Sequence, residues 1–375
     1  MAHKPIVSVV SCDRYDPDGV RQAMEAALAP LGGIGRFVRP GMRVLLKPNL
    51  LAAVDLDRAV TTHPTVVQAV AELVAEAGGE VWIGDSPAGP VENGPRVWRR
   101  SGMVDVASRT GARLVPFEGV EWKRVGGNDY FIARPVFEAD LVIDLPKLKT
   151  HVLTLYTGAV KNLFGTIPGT RKREVHLRAP GIQDFSRALV DVLALVRPGL
   201  TIMDGVWGQE GNGPGTGGTP HRYGCLAAST DPVALDAVIT HAMGYRPGEV
   251  LHLVEAERQG LGVADPQAIR VEGDRKALDF GRLDLPRARW YFRIPAWMGA
   301  PLYRAARLRP RVVTARCIGC GRCVEVCPQG AIEAGKPPHF DLDRCIGCLC
   351  CGEVCPEGAI EPHRGLLARL IGIGY

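Results

Sequence analysis

The chain has 375 residues, of which 46% are hydrophobic and 23% charged, with a formal net charge of +5. That length and balance exclude a single small module, a disordered or fibrous chain, and a strongly basic protein built to hold nucleic acid. Every apolar run is shorter than the ~18 residues of a membrane span, and the start MAHKPIVSVVSCD has no secretory cleavage pattern, so a cytoplasmic location is expected.

From the N-terminus to residue 275, short β-branched apolar runs alternate with helix-length amphipathic segments. This is the pattern of a layered α/β domain with a mostly parallel sheet. The expected strands are Ile6 to Val10, Arg43 to Leu46, Val81 to Gly84, Ala112 to Pro116, Leu141 to Asp144, Thr201 to Asp204 and Cys225 to Ala228. The expected helices are Pro17 to Ala29, Pro64 to Ala77, Gln183 to Val196 and Pro232 to Met243. The second is the best marked, with Thr62 or His63 as cap, Pro64 in the first turn and Gly78-Gly79 at the end.

Polar residues stand just past several strand ends: Lys47 and Asn49, Asp85 and Ser86, the run Lys147, Lys149 and His151, and Asp204 itself. That edge is where open α/β sheets bind ligands. Lys161 and Asn162 follow in a short expected helix. Each alone is an ordinary loop residue, cap or hydrogen-bonded histidine. Gathered on one edge, they form a crevice that binds an anionic substrate and offers proton donors. Lys147, Lys149, His151, Lys161 and Asp85 are therefore the candidate catalytic groups. Lys47, Asn49, Asn162, Asp204 and Glu210 are the candidate substrate ligands, with Asp85 or Asp204 orienting the cations or coordinating a metal.

Three stretches break the regularity. Residues 164–181, FGTIPGTRKREVHLRAPG, read as a basic loop. Residues 209–220, QEGNGPGTGGTP, lack a phosphate-loop signature and read as a flexible lid, with Glu210 beside Trp207 over the crevice. Residues 276–307 form a basic and aromatic arm. Between Arg282 and Arg311, eight arginines face the single acidic residue Asp284, interleaved with Trp290, Tyr291, Phe292, Trp297 and Tyr303. Such an arm either lies over its neighbour with solvated arginines or docks an acidic electron donor or a membrane surface.

Nine of the eleven cysteines fall between Cys317 and Cys355, a cluster pattern rather than a disulfide scaffold. Cys317, Cys320, Cys323 and Cys327-Pro328 repeat as Cys345, Cys348, Cys351 and Cys355-Pro356, each followed by Gly-Ala-Ile. A zinc ribbon does not explain the paired Cys-Pro ends. Residues 308–364 resemble a bacterial ferredoxin domain, a small α+β module with two [4Fe-4S] clusters. The resemblance implies that Cys317, Cys320, Cys323 and Cys355 hold one cluster and Cys345, Cys348, Cys351 and Cys327 the other. Cys350 is left over as a packed thiol, and residues 365–375 form a tail.

The segments VLLKPNLL (44–51), TTHPTVVQAVAELVAEAGGEVWIGDSP (61–87) and LPKLKTHVLTLYTGAVKNLFGTIPG (145–169), with DGVWGQEGNGP and the SxDPVALD stretch, resemble the domain-of-unknown-function family 362. The resemblance implies a fold and an iron-sulfur cofactor but no substrate. The expected function is reduction, with electrons passing from a ferredoxin, flavodoxin or reductase through the clusters to a small molecule in the α/β domain. The rival expectation is a non-catalytic electron carrier or maturation partner that uses the α/β domain for docking.

Overall fold

Val44, Leu45 and Leu46 are all fully buried because their strand lies inside a sheet covered on both faces. Leu45 points into one apolar core and its two neighbours into the other. The computed structural model describes residues 4–286 and 309–363. Its α/β part carries β1 (Ile6–Ser11), β2 (Arg43–Pro48), β3 (Glu80–Ile83), β4 (Arg113–Leu114), β5 (Val120–Val125), β6 (Asn128–Ala133), β7 (Leu141–Leu145), β8 (Lys147–His151), β9 (Leu155–Thr157), β10 (Leu200–Gly211), β11 (Gly218–Ser229) and β12 (Arg270–Gly273). The helices that the site uses are α1 (Pro17–Leu28), α2 (Pro64–Glu76), α3 (Gly94–Arg100), α4 (Met103–Thr110), α5 (Pro135–Glu138), α6 (Ala159–Asn162), α7 (Arg171–Arg178), α8 (Ile182–Val196) and α9 (Pro232–Ala242).

The main sheet runs β12-β1-β11-β10-β7-β2-β3-β4, with β8 and β9 joined to it through β10. Along that path every pairing is parallel except the two made by β11. Helices α1 and α2 cover one face and α8 and α9 the other. His63 caps α2, its ring accepting from the Thr65 N–H, and Gly78 ends it at a φ of 82°. This is the expected layered α/β fold with a mostly parallel sheet.

Several expectations about local structure need correction. Lys147, Lys149 and His151 do not trail off a strand: they form β8, which pairs with β10 and β9. Strand alternation then sends all three side chains the same way. The basic stretch 164–181 is not one loop, because α7 occupies its middle. The glycine-rich tract is not a lid. It is the tip of the β10–β11 hairpin, pinned where Arg58 donates to the Thr216 carbonyl and Gln209 to that of Gly215. Packing also continues past residue 275, with Phe280 buried and Leu283 and Leu285 against the core. The rest of the basic and aromatic arm lies outside the described residues, as does the tail.

In the cysteine module, β13 (Arg309–Val312) pairs antiparallel with β16 (Ile360–His363), and β14 (Ile332–Glu333) with β15 (His339–Phe340). Short helices Arg322–Val326 and Cys350–Glu353 occupy equivalent places in the two cysteine runs. The preceding residues, Gly321 and Leu349, share a left-handed backbone with φ of 76° and 59°. Leu349 adopts it at a cost of about 1 kcal/mol that glycine avoids. Among the described residues, no helix is long and apolar enough to cross a membrane.

Candidate active site between the sheet edge and the cysteine module

Strand β2 has β3 on one side and β7 on the other, so the chain leaves its carboxyl end in opposite directions and opens a crevice there. Lys47 and Asp85, from the ends of β2 and β3, meet in that crevice at 2.7 Å, both buried. The second Asp85 oxygen accepts the Leu50 N–H at 2.7 Å. Gly165 must be glycine at this point, because a Cβ would stand 2.2 Å from Asp85 Oδ1 and 2.8 Å from Lys47 Nζ. Gly165→Ala is expected to lower the unfolding free energy by about 2 kcal/mol, read by urea denaturation. An unchanged midpoint would show that the pair yields freely.

Lys147 is bound in a second buried set. Its Nζ lies 2.8 Å from Asp204 Oδ2 and 2.6 Å from the Tyr15 hydroxyl, which itself donates to Asp204 Oδ1. Asp204 also accepts the His63 N–H at 2.9 Å, and Tyr15 stacks on His63 with ring centres 3.6 Å apart. Lys149 donates to Asn49 Oδ1 and to the Val60 carbonyl, each at 2.7 Å. Asn49 in turn donates to Asn162, which donates to Asp144 Oδ1 at 2.8 Å. Burial pushes the Asp144 carboxyl well above its ordinary range.

Two aspartates of the SxDPVALD stretch have separate tasks. Asp231 caps α9, accepting from the Val233 and Ala234 N–H groups. Asp236 reaches across to cap α6, accepting from Ala159 at 2.8 Å, Val160 at 2.9 Å and the Tyr156 hydroxyl at 3.0 Å. It thereby fixes the one-turn helix that presents Lys161 and Asn162.

A pocket of about 830 Å³, its mouth included, opens between this edge and the cysteine module. The α/β wall includes Asn49, Asp85, Lys149, Lys161 and Asn162, all expected from the sequence. Val326, Cys350, Glu353 and Val354 form the opposite wall. Lys47, Lys147 and Asp204 stand behind the lining, each neutralised by its partner. Glu210 lies elsewhere, accepting from the Asp284 N–H at 2.9 Å. His151 also stands behind: its Nδ1 accepts the Leu153 and Thr154 N–H groups, and Nε2 lies 3.1 Å from Glu353 without the alignment of a hydrogen bond. Burial, then Lys161, lowers the His151 pKa to about 4, so the ring is neutral at pH 7. It stands behind Glu353 and does not line the pocket.

Sequence reasoning missed three pocket groups on α7. Lys172 donates to the Ser86 carbonyl and hydroxyl at 2.8 and 3.0 Å. Arg173 crosses to the module and donates to the Cys327 carbonyl at 2.7 Å. His176 stacks on Phe185 at 4.4 Å. Burial lowers the pKa of Lys161, and that of Lys172 to about 7. Among the described residues Lys161 Nζ has no hydrogen-bond partner, which leaves it as an unengaged cationic donor of the pocket lining.

The cysteines fit iron-sulfur centres on geometry as well as spacing. A single cavity is lined by Cys317, Cys320, Cys323 and Cys355, bringing the last cysteine of the second run to the first three of the first run. Cys348 and Cys327 lie near Cys345, and Cys348, Cys345, Cys323 and Cys327 lie near Cys351. Both Cys-Pro sulfurs accept an amide hydrogen at 3.2 Å, Cys327 from Ala331 and Cys355 from Ala359. Amide donors of this kind stabilise sulfur ligands in the thiolate form.

The profile of the family described as domain of unknown function (DUF362) matches residues 44–241, and that of the 4Fe-4S dicluster domain matches residues 316–359. A thylakoid-associated protein of Synechocystis sp. is 40% identical over 258 residues, spanning 68% of this chain and 79% of its own. Among solved structures, the lactate racemase apoprotein from Thermoanaerobacterium thermosaccharolyticum is similar over 52% of this chain and 49% of its own, with 13% identity and a TM-score of 0.35. A structural-genomics protein from Thermotoga maritima is similar over 59% of this chain and 57% of its own, with 13% identity and a TM-score of 0.36. The chain thus spans about half the length of either solved structure.

Proposed function

The chain belongs to the DUF362 family and carries a 4Fe-4S dicluster domain suited to electron transfer, and from that premise we propose a reductase that draws electrons from a soluble donor through two [4Fe-4S] centres. Its substrate is an anionic or carbonyl-bearing small molecule held in the interdomain pocket. One observation carries this reading: the pocket has Lys149, Lys161, Lys172 and Arg173 on one wall and the cysteine module on the other.

Cys317, Cys320, Cys323 and Cys355 would hold one centre, and Cys345, Cys348, Cys351 and Cys327 the other. When bound, these centres supply electrons one at a time. Reducing a C=C or C=O bond consumes two electrons and two protons, leaving a single bond with one hydrogen on each atom. Lys172 and Arg173, held by Ser86 and by the Cys327 carbonyl, make this wall cationic and attract the anionic group of the substrate. Lys161 gives up the first proton and the second comes from water. Lys149, held by Asn49, polarises the acceptor oxygen, while Asp85, neutralised by Lys47, shapes the floor. A reducing, cytoplasmic setting suits eleven unpaired cysteines.

Anaerobic purification with iron and sulfide analysis, followed by reductive titration under EPR, tests the electron path. About eight irons per chain and reducible signals are expected. Fewer irons, or no reducible signal, sinks the two-centre reading.

The state of Lys172 gives a pH dependence. Burial lowers its pKa, Asp85 works against this, and Lys47 and Lys161 add to it. Between about 7 and the ordinary lysine value of 10.5, the unfolded chain holds a proton that the folded chain sheds, so stability attributable to Lys172 rises with pH across that window. The difference in unfolding free energy between wild type and Lys172→Met should therefore shift in favour of the wild type from pH 7 to pH 10. A flat difference removes the perturbed lysine.

A further inference from the structure

A second opening shares no lining residue with the substrate pocket. It is a broad groove bordered by Arg58, Arg96, Arg99 and Arg100, with Pro356 and Glu357 of the cysteine module at its inner end. Arg96, Arg99 and Arg100 lie on α3 at spacings of three and four residues, which sets them along one side of the helix. All four arginines are exposed. Arg100 neutralises Asp55 at 2.5 Å, and Arg58 is committed to the Thr216 carbonyl at 2.8 Å. Arg96 and Arg99 have no ion pair among the described residues, so the groove keeps a cationic excess over Asp55 and Glu357.

The groove abuts the segment directly after Cys355, and the Thr216 hydroxyl in its lining donates to the Cys355 carbonyl. On the ligation described above, Cys355 belongs to the centre built on the first cysteine run. The substrate pocket meets the module at Val326, Cys350, Glu353 and Val354, and its Arg173 donates to the carbonyl of Cys327, which belongs to the other centre. The groove and the pocket thus each make a hydrogen bond to a ligand of a different centre, through Thr216 and Arg173.

We propose that this groove docks a small acidic electron carrier, so that electrons enter at the Cys355 centre, pass to the Cys327 centre and leave into the pocket. The assignment rests on the two-centre reading. Each transfer moves one electron from the reduced carrier to a cluster and breaks no bond. Exposed arginines beside an electron-accepting site raise encounter rates with an acidic partner, and that gain fades as salt screens it. A concave groove that borders one cysteine loop suits a protein better than a flat lipid surface.

Anaerobic stopped-flow mixing of the full-length protein with an acidic flavodoxin in its hydroquinone form tests the assignment. Arg96→Glu with Arg99→Glu should slow cluster reduction at least about ten-fold at low salt, and the deficit should shrink at 0.5 M salt as the screening length falls below about 5 Å. Arg96→Gln with Arg99→Gln should fall between this variant and wild type. Reduction by dithionite and the iron content should match wild type in both variants. An unchanged flavodoxin rate overturns the assignment, as does a deficit independent of salt. So does wild-type binding to phosphatidylglycerol vesicles that the variant loses while its flavodoxin rate stays intact, since the groove would then be a lipid contact. Absence of dithionite-reducible iron in the wild type takes down the two-centre reading and this assignment together.

Discussion

Replacing Cys327 by alanine is expected to produce the lesion of Cys351→Ala, not that of Cys317→Ala, although Cys327 and Cys317 belong to the same sequence run. The reason is that the proposed ligation crosses the fourth ligand between the two runs. Cys355 shares a cavity with Cys317, Cys320 and Cys323, while Cys327 neighbours Cys345 and Cys351. With one of four thiolates removed, the centre it completes is lost, and iron should fall from about eight to about four per chain. EPR of the reduced protein should show the same surviving signal in the Cys327 and Cys351 variants, and the complementary signal in the Cys317 and Cys355 variants. If Cys327→Ala pairs with Cys317→Ala, ligation is uncrossed. The lesion also lies beside the pocket, because Arg173 of the pocket lining donates to the main-chain carbonyl of Cys327. With the Cys327 centre absent, turnover of any pocket substrate should vanish rather than slow, because electrons then have no route past the Cys355 centre.

The parts legible from sequence are those fixed by local chemistry. Two CxxCxxCxxxCP runs identify a 4Fe-4S dicluster domain by their spacing, and the apolar strands around Leu45, Ile143 and Ile202 are buried whatever packs on them. The crevice edge was legible for the same reason, since Asn49, Asp85, Lys149 and Lys161 follow from strand order. The rest depends on partners distant in the chain. RKREVHLR shows no wide apolar stripe between its flanking glycines and prolines, yet it forms α7 because Val175 and His176 pack inward and Arg173 reaches Glu325 and Cys327. KLKTH is too polar to resemble a strand until Asp204, Asn49 and Val60 are present to receive its lysines. Glycines in the 209–220 tract were compatible with mobility or with close approach. Close approach won, since a Cβ at Gly213 would lie 2.4 Å from the Thr150 carbonyl oxygen and one at Gly215 would lie 2.7 Å from that of Glu353. Glu353 sits inside the cysteine run, and nothing local to that run announces the pocket it faces.

Lys161→Met is expected to lower the rate of substrate reduction by about 10²- to 10⁴-fold, the usual range for removal of a general acid, while leaving iron content and dithionite reduction intact. Methionine keeps the length and helix preference of the side chain, so α6, capped by Asp236, should persist. What disappears is a half-buried amine whose pKa is lowered chiefly by desolvation, with Glu353 pulling the other way. A donor with a lowered pKa releases its proton more readily at neutral pH than an ordinary lysine does. Lys149 is a poor substitute because Asn49 and the Val60 carbonyl already hold its hydrogens, and His151 is neutral and turned away behind Glu353. The measurement is reoxidation of the dithionite-reduced protein by a panel of 2-enoates and 2-oxo acids, followed by cluster absorbance. Lys161→Arg separates binding from proton transfer, since arginine keeps the charge but not the acidity. It should restore KM without restoring kcat. Full activity in Lys161→Arg would reduce Lys161 to an anion ligand, and full activity in Lys161→Met would remove it from the chemistry altogether.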